Sequence, residues 1–526
     1  MSATQTPSEL PPAKGSPIAV DWIAQHARVQ PGKLAQMDIA SGRRFSYADM
    51  HDRVGRVAAY LQSLGIGAGD RVGFLALNST DIVELVFGAW RIGAIGLALN
   101  FRLTPTELAF IVNDSGPKLV LVDEMFAELA GALKPQTSVD HWVMTDGQGG
   151  ASPYEEALEG VQPLSAKPFD QPMSDACLLM YSSGTTGRPK GVVITHEMVT
   201  FAAVNGAMGL ETGPSVVTLA TMPLFHIGGF AMVSNALYPG ATTLIQRMFD
   251  PGATLHLFAD RSLGITHFLG VPAMYNAMKV HPDIDTLDIS GVGTMLAGAE
   301  AVPDALVQWW FERGIRIQEG YGMTESTASN CAVAKEDVPG KVGSAGRAMM
   351  HTEMKIVRED GSDASPGELG EIWMRGPAIT PGYWNRPDAN AEAFVDGWFR
   401  SGDIGRIDED GYCYIEDRLK DMYISGGENV YPAEVENVLY AMPEIAEAAV
   451  IGVPDSKWGE TGCAVIVLKE GAQLDLSGLA KRCETELAKF KCPQHMAVVD
   501  ALPRNATGKV LKFQLRQTVP ERLNLR

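Results

Sequence analysis

Residues Tyr181-Ser-Ser-Gly-Thr-Thr-Gly-Arg-Pro-Lys-Gly191 constrain this chain more than any other stretch. Eleven residues hold three glycines, four Ser or Thr hydroxyls, an arginine and a lysine, directly after the apolar run Cys177-Leu-Leu-Met180. Glycine lets backbone N–H groups turn toward an anion, the hydroxyls are short donors, and Arg188 and Lys190 supply positive charge. Such a loop is built to hold phosphate oxygens, and a triphosphate is its natural guest. The bland alternative is a solvated Ser/Gly linker, which rarely follows a buried strand. The spacing departs from the Walker A pattern, because Pro189 stands where the second glycine belongs and Gly191 follows the lysine.

At 526 residues the chain exceeds the usual single-domain length, so two or more folding units are expected. A hydrophobic content of 46% with 20% charged residues fits a globular protein with a real core. The 63 acidic and 43 basic residues leave a net charge of −20, which argues against a nucleic-acid surface. An anionic ligand must then be met by a local basic pocket. The six cysteines (177, 331, 413, 463, 483 and 492) form no C-x-x-C pair and read as reduced thiols in the core or at the surface. Met1 to Pro17 lacks the charged head and apolar run of a signal peptide. Glu84 and Arg91 interrupt the best membrane-span candidate, so no integral membrane segment and a cytoplasmic location are expected.

Short apolar runs at 72–77, 119–122 and 216–219 alternate with amphipathic helical segments at 47–64 and 80–93. That alternation predicts an α/β fold of parallel sheets covered by helices. From about 341 to 417, Val342-Gly-Ser-Ala-Gly346, Glu368-Leu-Gly-Glu-Ile-Trp-Met374 and Gly411-Tyr-Cys-Tyr-Ile415 are glycine-punctuated strands, expected to form a β-barrel-like or antiparallel subdomain. Beyond Asp417-Arg-Leu-Lys-Asp421, a helix over 432–441 and strands at 446–452 and 463–468 predict a compact α+β domain. The expected division is a tail at 1–18, a large domain at 19–419 and a small mobile domain at 420–526.

Four other spots stand out: Tyr321-Gly-Met-Thr-Glu325, Trp398-Phe-Arg-Ser-Gly-Asp403, Ser425-Gly-Gly-Glu-Asn-Val-Tyr-Pro-Ala-Glu434 and Pro503-Arg-Asn-Ala-Thr-Gly-Lys509. In this order, with the loop at 181–191, they resemble the core motifs of the adenylate-forming superfamily, over about residues 20 to 515. That superfamily includes acyl-CoA synthetases, peptide-synthetase adenylation domains and firefly luciferase. The resemblance implies two half-reactions, in which a carboxylate attacks the α-phosphate of ATP to give acyl-AMP and pyrophosphate, and a thiol then displaces AMP. It implies ATP, Mg²⁺ and CoA as cofactor and co-substrates.

The resemblance also implies roles. Ser182, Ser183, Gly184, Thr185, Thr186, Gly187 and Lys190 would grip the β and γ phosphates, with Glu325 as the Mg²⁺ ligand and Thr324 donating to the α-phosphate. Read alone, Thr324 and Glu325 are equally a helix N-cap, itself an anion site. Gly298, Ala299, Glu300, Glu319, Gly320 and Tyr321 would wall the adenine, Tyr321 stacking on the base unless it is simply a core aromatic. Asp403 would accept the ribose hydroxyls, with Arg418 on the ribose or phosphate side. Lys509, otherwise a solvated loop cation, would offset charge between carboxylate and α-phosphate. Lys420 would be the hinge on which the C-terminal domain turns, bringing Ser425, Gly426 and Gly427 to a pantetheine channel.

Residues 230–238 carry no acid to hold an amino-acid ammonium, and their apolar run suits an uncharged acyl tail. His226 matches the gate position against the substrate carboxylate, though alone it reads as a core histidine. Ile227, Phe230, Val271, Met274, Gly320, Gly322 and Met323 would line the acyl pocket, with the two glycines leaving space for a medium-chain fatty or aryl acid. The expected activity is therefore an AMP-forming acyl-CoA ligase. A stand-alone enzyme loading a carrier protein and a non-catalytic nucleotide-binding scaffold are the alternatives, and luciferase-type oxidation is more remote. No G-x-S-x-G elbow or G-x-G-x-x-G turn supports a hydrolase or dehydrogenase. A homodimer is a further expectation, and the P-x-x-x-x-G-K arrangement ending at Lys509 resembles sites that bacterial acetyltransferases modify.

Overall fold

The computed structural model describes residues 18–166, 171–182, 189–418, 421–425, 428–455, 458–504 and 510–523. Three sheets organise them. The first has six strands, ordered His141–Thr145, Leu119–Asp123, Arg71–Leu75, Ile95–Ala98, Ala176–Ser182 and Lys190–Thr195. Its neighbours are parallel except the last pair, a hairpin in which Ser182 faces Lys190. The two arms of the glycine-rich loop are thus fixed side by side at the sheet's edge.

The second sheet has fourteen strands and two characters. Leu34–Asp38, Thr242–Ile245, Val217–Ala220, His267–Gly270, Thr294–Ala297 and Ile317–Tyr321 run parallel. From Tyr321 onward the pairing turns antiparallel through Cys331–Ala332, Gly346–Ala348, Tyr412–Arg418, Trp398–Ile407, Gly370–Arg375 and Glu353–Val357. The β-rich arm is therefore hydrogen-bonded into the large sheet in an open order. Its first expected strand is shorter than anticipated: only Gly346–Ala348 pairs, because Gly343 at φ +81° turns the chain before it.

A third, five-stranded sheet belongs to the C-terminal domain, where Ile445–Asp455 and Gly459–Leu468 form a long hairpin. His495–Val498 adds a parallel strand, and helices Pro432–Tyr440, Leu476–Glu486 and Lys512–Arg522 complete the domain. All six cysteines are buried free thiols. Among the described residues, no helix is long and apolar enough to cross a membrane.

Helix caps follow the sequence. Ser46 and Asp49 close a capping box on Tyr47–Ser63, and Thr104 and Glu107 close one on Pro105–Ser115. Helix Thr80–Arg91 departs from the amphipathic expectation, for all twelve of its residues are buried. It lies between the two large sheets, and its charges survive there only because each has a partner. Asp81 meets Arg43 at 2.9 Å, Glu84 meets Arg53 at 2.8 Å, and Arg91 meets Asp21 at 2.8 Å.

Burial, and secondarily the neighbouring charge of Asp81, pushes the Glu84 carboxyl up to about 7, against the pull of Arg53. A group raised in the folded state binds more protons than in the unfolded chain, so its contribution is fully present below pH 4.5 and is lost toward pH 7. Glu84→Gln is therefore expected to hold its melting temperature more level than wild type between pH 5 and 7.5. Parallel pH profiles for the two proteins would contradict this.

Candidate active site

The parallel strands Thr294–Ala297 and Ile317–Tyr321 end together, and the chain after each must pass very close to the other. A Cβ on Gly298 would lie 2.7 Å from the Gly320 carbonyl oxygen, so only glycine permits the approach. The next residue, Ala299, is held at φ +71°, an unfavourable conformation for a residue with a side chain. Gly298, Ala299 and Glu300 thus meet Glu319, Gly320 and Tyr321 at one edge. The Glu319 side chain accepts the Gly343 N–H at 2.9 Å, and burial raises its carboxyl to about 8.

Tyr321 reaches across to the antiparallel arm. Its hydroxyl donates to Asp403 Oδ2 at 2.6 Å, and Asp403 is only 2% exposed. The Asp403 N–H in turn donates to Ser401 Oγ at 3.0 Å. Asp403 pairs in register with Arg418, whose side chain lies outside the described residues. Tyr321 packs against the apolar cluster that holds Cys331, Ile356 and Ile372.

Thr324–Ser326 forms a single 3-10 turn. This corrects the helix-cap alternative, because Thr327 and Ala328 at φ +53° and +56° reverse the chain at once, leaving no helix dipole there. Glu325 is buried and held from two directions: its carbonyl accepts the Thr380 N–H at 2.7 Å, and its Oε1 accepts the Tyr383 hydroxyl at 3.0 Å. The same segment grips the phosphate-loop strand. Thr380 Oγ1 donates to the Val193 carbonyl at 2.7 Å, and the Trp384 N–H donates to that of Gly191 at 2.7 Å. Lys190 Nζ sits 5.1 Å from the Tyr383 ring centre. Residues 380–384 thereby bring Glu325 and Lys190 to one place. Tyr383 was not legible as a site residue, since a lone tyrosine in Pro381-Gly-Tyr383 carries no chemical signature of its own. Glu325, a hard oxygen donor fixed at the mouth of a glycine-rich loop, fits a Mg²⁺ ion carried by phosphates. Ser183, Gly184, Thr185, Thr186 and Gly187 lie outside the described residues.

His226 precedes helix Ile227–Leu237 and lies tilted against Phe225, with ring centres 4.5 Å apart. Burial, followed by the charge of Arg102, depresses the imidazole to about 3, so it is neutral; its Nε2 has no partner among the described residues. Val271, at the start of helix Pro272–Lys279, and Met274, within it, share one apolar cluster with Phe268. Phe230 instead packs edge-on to Trp90 at 5.9 Å, in a cluster that also holds Ile227. The glycines do not leave the space expected of them. A Cβ on Gly322 would meet the Ala328 backbone at 2.3 Å, and one on Gly320 would meet the Cys331 carbonyl and Leu296 at 3.3 Å. Their role is close backbone passage. Met323 packs against the cluster that holds Cys331.

Lys420, Gly426, Gly427 and Lys509 lie outside the described residues, while Ser425 is buried. The stem of the Lys509 loop is described: Arg504 bridges to Val510. Arg504 donates to Glu447 of its own domain at 2.8 Å and lies 3.8 Å from Glu300 on the large domain. The root of that loop therefore stands over the edge where Gly298 meets Gly320.

A family model described as AMP-binding enzyme matches residues 23–384, and one described as AMP-binding enzyme C-terminal domain matches residues 434–509. The chain is 38% identical over 499 residues to a feruloyl-CoA synthase from Amycolatopsis, covering 94% of this chain and 98% of that protein. It is 37% identical over 516 residues to a long-chain-fatty-acid–CoA ligase of Mycobacterium tuberculosis, covering 95% and 99%. Among solved structures, ATP-bound MatB from Rhodopseudomonas palustris superposes with a TM-score of 0.87 at 32% identity, covering 95% and 99%.

Tyr383→Phe keeps the ring over Lys190 and removes the hydroxyl that bonds to Glu325. Acid-dependent exchange of pyrophosphate into ATP is expected to fall about tenfold, with a melting curve showing the variant still folded at the assay temperature. Undiminished exchange would show that the tyrosine is merely packed there.

Proposed function

The chain belongs to the AMP-binding enzyme family, and from that premise we propose how its residues divide the reaction. It is an AMP-forming acyl-CoA ligase, joining a carboxylic acid to CoA with ATP as the activating nucleotide. A carboxylate oxygen bonds to the α-phosphorus and the bond to the bridging oxygen breaks, releasing pyrophosphate. The thiol sulfur of CoA then bonds to the acyl carbon, its proton is lost, and AMP leaves.

What carries the residue assignment is convergence. Tyr321 bonded to Asp403, Glu325 bonded to Tyr383, and Lys190 over the same Tyr383 ring come from distant segments of the chain. Asp403 and Tyr321 hold the ribose and base, Lys190 takes the outer phosphates, and Glu325 would hold Mg²⁺, which would lower the phosphate charge when bound. Neutral His226, whose Nε2 has no partner among the described residues, can offer an N–H to the carboxylate without a fixed charge. Lys509 acts between carboxylate and α-phosphate, on a loop whose root Arg504 stands near Glu300. Swivelling at Lys420 then exchanges that loop for the face at Ser425. Both co-substrates suit a cytoplasmic location.

The acid is a medium-chain fatty or aryl carboxylate, in keeping with relatives named for ferulate, long-chain fatty acids and indoleacetate. A second reading, loading of a carrier protein, is favoured by 34% identity to a fatty acid–[acyl-carrier-protein] ligase from Streptomyces coeruleorubidus. Supplying CoA or a pantetheinylated carrier as acceptor to the same charged enzyme separates the two.

Lys509→Ala is expected to lower acid-dependent pyrophosphate exchange at least roughly a hundredfold, while acyl-CoA formation from supplied acyl-AMP stays within about threefold. Acetylation of Lys509 would remove the same charge and give the same split. Equal loss in both half-reactions, or in neither, would contradict the role.

A further inference from the structure

Two carboxyl groups converge on one turn beside the nucleotide corner. Glu319 lies two residues before Tyr321 on strand Ile317–Tyr321 and is only 6% exposed. Its Oε1 accepts the Gly343 N–H at 2.9 Å. Asp304, the first residue of helix Asp304–Phe311, lies against the same residue, because a Cβ on Gly343 would sit 3.1 Å from Asp304 Oδ1.

The turn matters through what it enters. The parallel and antiparallel parts of the large sheet are joined through Cys331–Ala332 and Gly346–Ala348, strands of two and three residues. Little backbone pairing crosses that joint. Just after Gly343, the Ala345 N–H donates to the Cys413 carbonyl at 2.8 Å, on strand Tyr412–Arg418. That strand pairs with Trp398–Ile407, which carries Asp403. Glu319 thus ties the strand of Tyr321 to the turn that enters the arm of Asp403.

We propose that Glu319, backed by Asp304, is a positioning residue for the nucleotide, holding the Gly343 turn and so keeping the Tyr321–Asp403 corner in line while it carries its proton. This rests on the adenylating reading above and adds a residue that acts through others. Burial raises the Glu319 carboxyl to about 8, the Gly343 N–H draws it down, and the charge of Asp304 raises it again. Asp304 is the charged group that faces it across the turn. Lys341 in the turn is committed to Asp408 and Asp410, and Glu300 at the edge lies 3.8 Å from Arg504. Ionised, Glu319 would set a second negative charge beside Asp304 in a buried place, which drives the carboxylate toward water and takes the acceptor from Gly343.

The test is AMP binding by titration calorimetry at pH 7, 8 and 9, which needs no acid. The AMP phosphate, with a pKa of about 6, is ionised throughout. A group that must be protonated for binding leaves affinity full below its pKa and falling above it. Wild type is therefore expected to lose about tenfold in affinity between pH 7 and 9, and to take up about half a proton per AMP near pH 8, read from buffers of different ionisation enthalpy. Glu319→Gln keeps an acceptor for Gly343 that never ionises, so its affinity is expected to vary by less than about twofold, with no proton taken up. Asp304→Asn removes the charge that holds the proton, and its loss of affinity is expected to begin at lower pH. Should the glutamine variant not fold, the shift in Asp304→Asn decides. A level wild-type affinity, a Glu319→Gln profile parallel to wild type, or an unmoved Asp304→Asn profile overturns the proposal. The two readings fail differently: AMP binding that ignores pH while acids drive pyrophosphate exchange sinks only this one, and absence of exchange with any acid sinks the ligase reading.

Discussion

The hydrogen bond from the Tyr321 hydroxyl to Asp403 joins the two characters of the large sheet at the point where its strands change direction. Tyr321 ends the last parallel strand, and Asp403 lies on the antiparallel arm 82 residues further on. Parallel strands of an open α/β sheet present their carboxyl ends together, and ligands gather there. Here that edge is closed on one side by the arm that Asp403 belongs to. The two glycines at 298 and 320 let the backbones approach, and the strained Ala299 marks how tightly the corner is turned. That bond adds a side-chain tie between strand ends that the backbone ladder of the sheet already joins.

Two anions must meet at this corner, in a protein whose net charge is −20. The fold answers locally. Lys190 enters from the hairpin of the first sheet, and Arg504 enters from the C-terminal domain beside Glu300. Glu325 is fixed by Tyr383 and, in the proposed site, suits a metal ion in place of direct contact with phosphate. His226 is kept neutral by its surroundings, so it can orient a carboxylate without trapping it. Cations borne by different elements can be withdrawn separately, which a two-step reaction with one active site requires.

Much of this was legible in the residues. The alternation of apolar runs and helices foretold the parallel sheets, and the motifs at 321–325 and 398–403 meet in the hydrogen bond between Tyr321 and Asp403. Other features were hidden because they depend on distant partners. Thr80–Arg91 reads as amphipathic until Arg43, Arg53 and Asp21 arrive to neutralise its buried charges. Gly320 and Gly322 read as open space, whereas the backbones of Cys331 and Ala328 occupy it. Tyr383 carries no motif; it matters through the carboxylate it meets.

The most direct measurement follows the substrate's own oxygen. With a carboxylic acid labelled with ¹⁸O in its carboxyl group, attack at the α-phosphorus predicts one labelled oxygen in AMP after a full turnover to acyl-CoA. Label recovered in inorganic phosphate, with ADP as the nucleotide product, would mean attack at the γ-phosphorus and would contradict the adenylating site assembled around Tyr321 and Asp403.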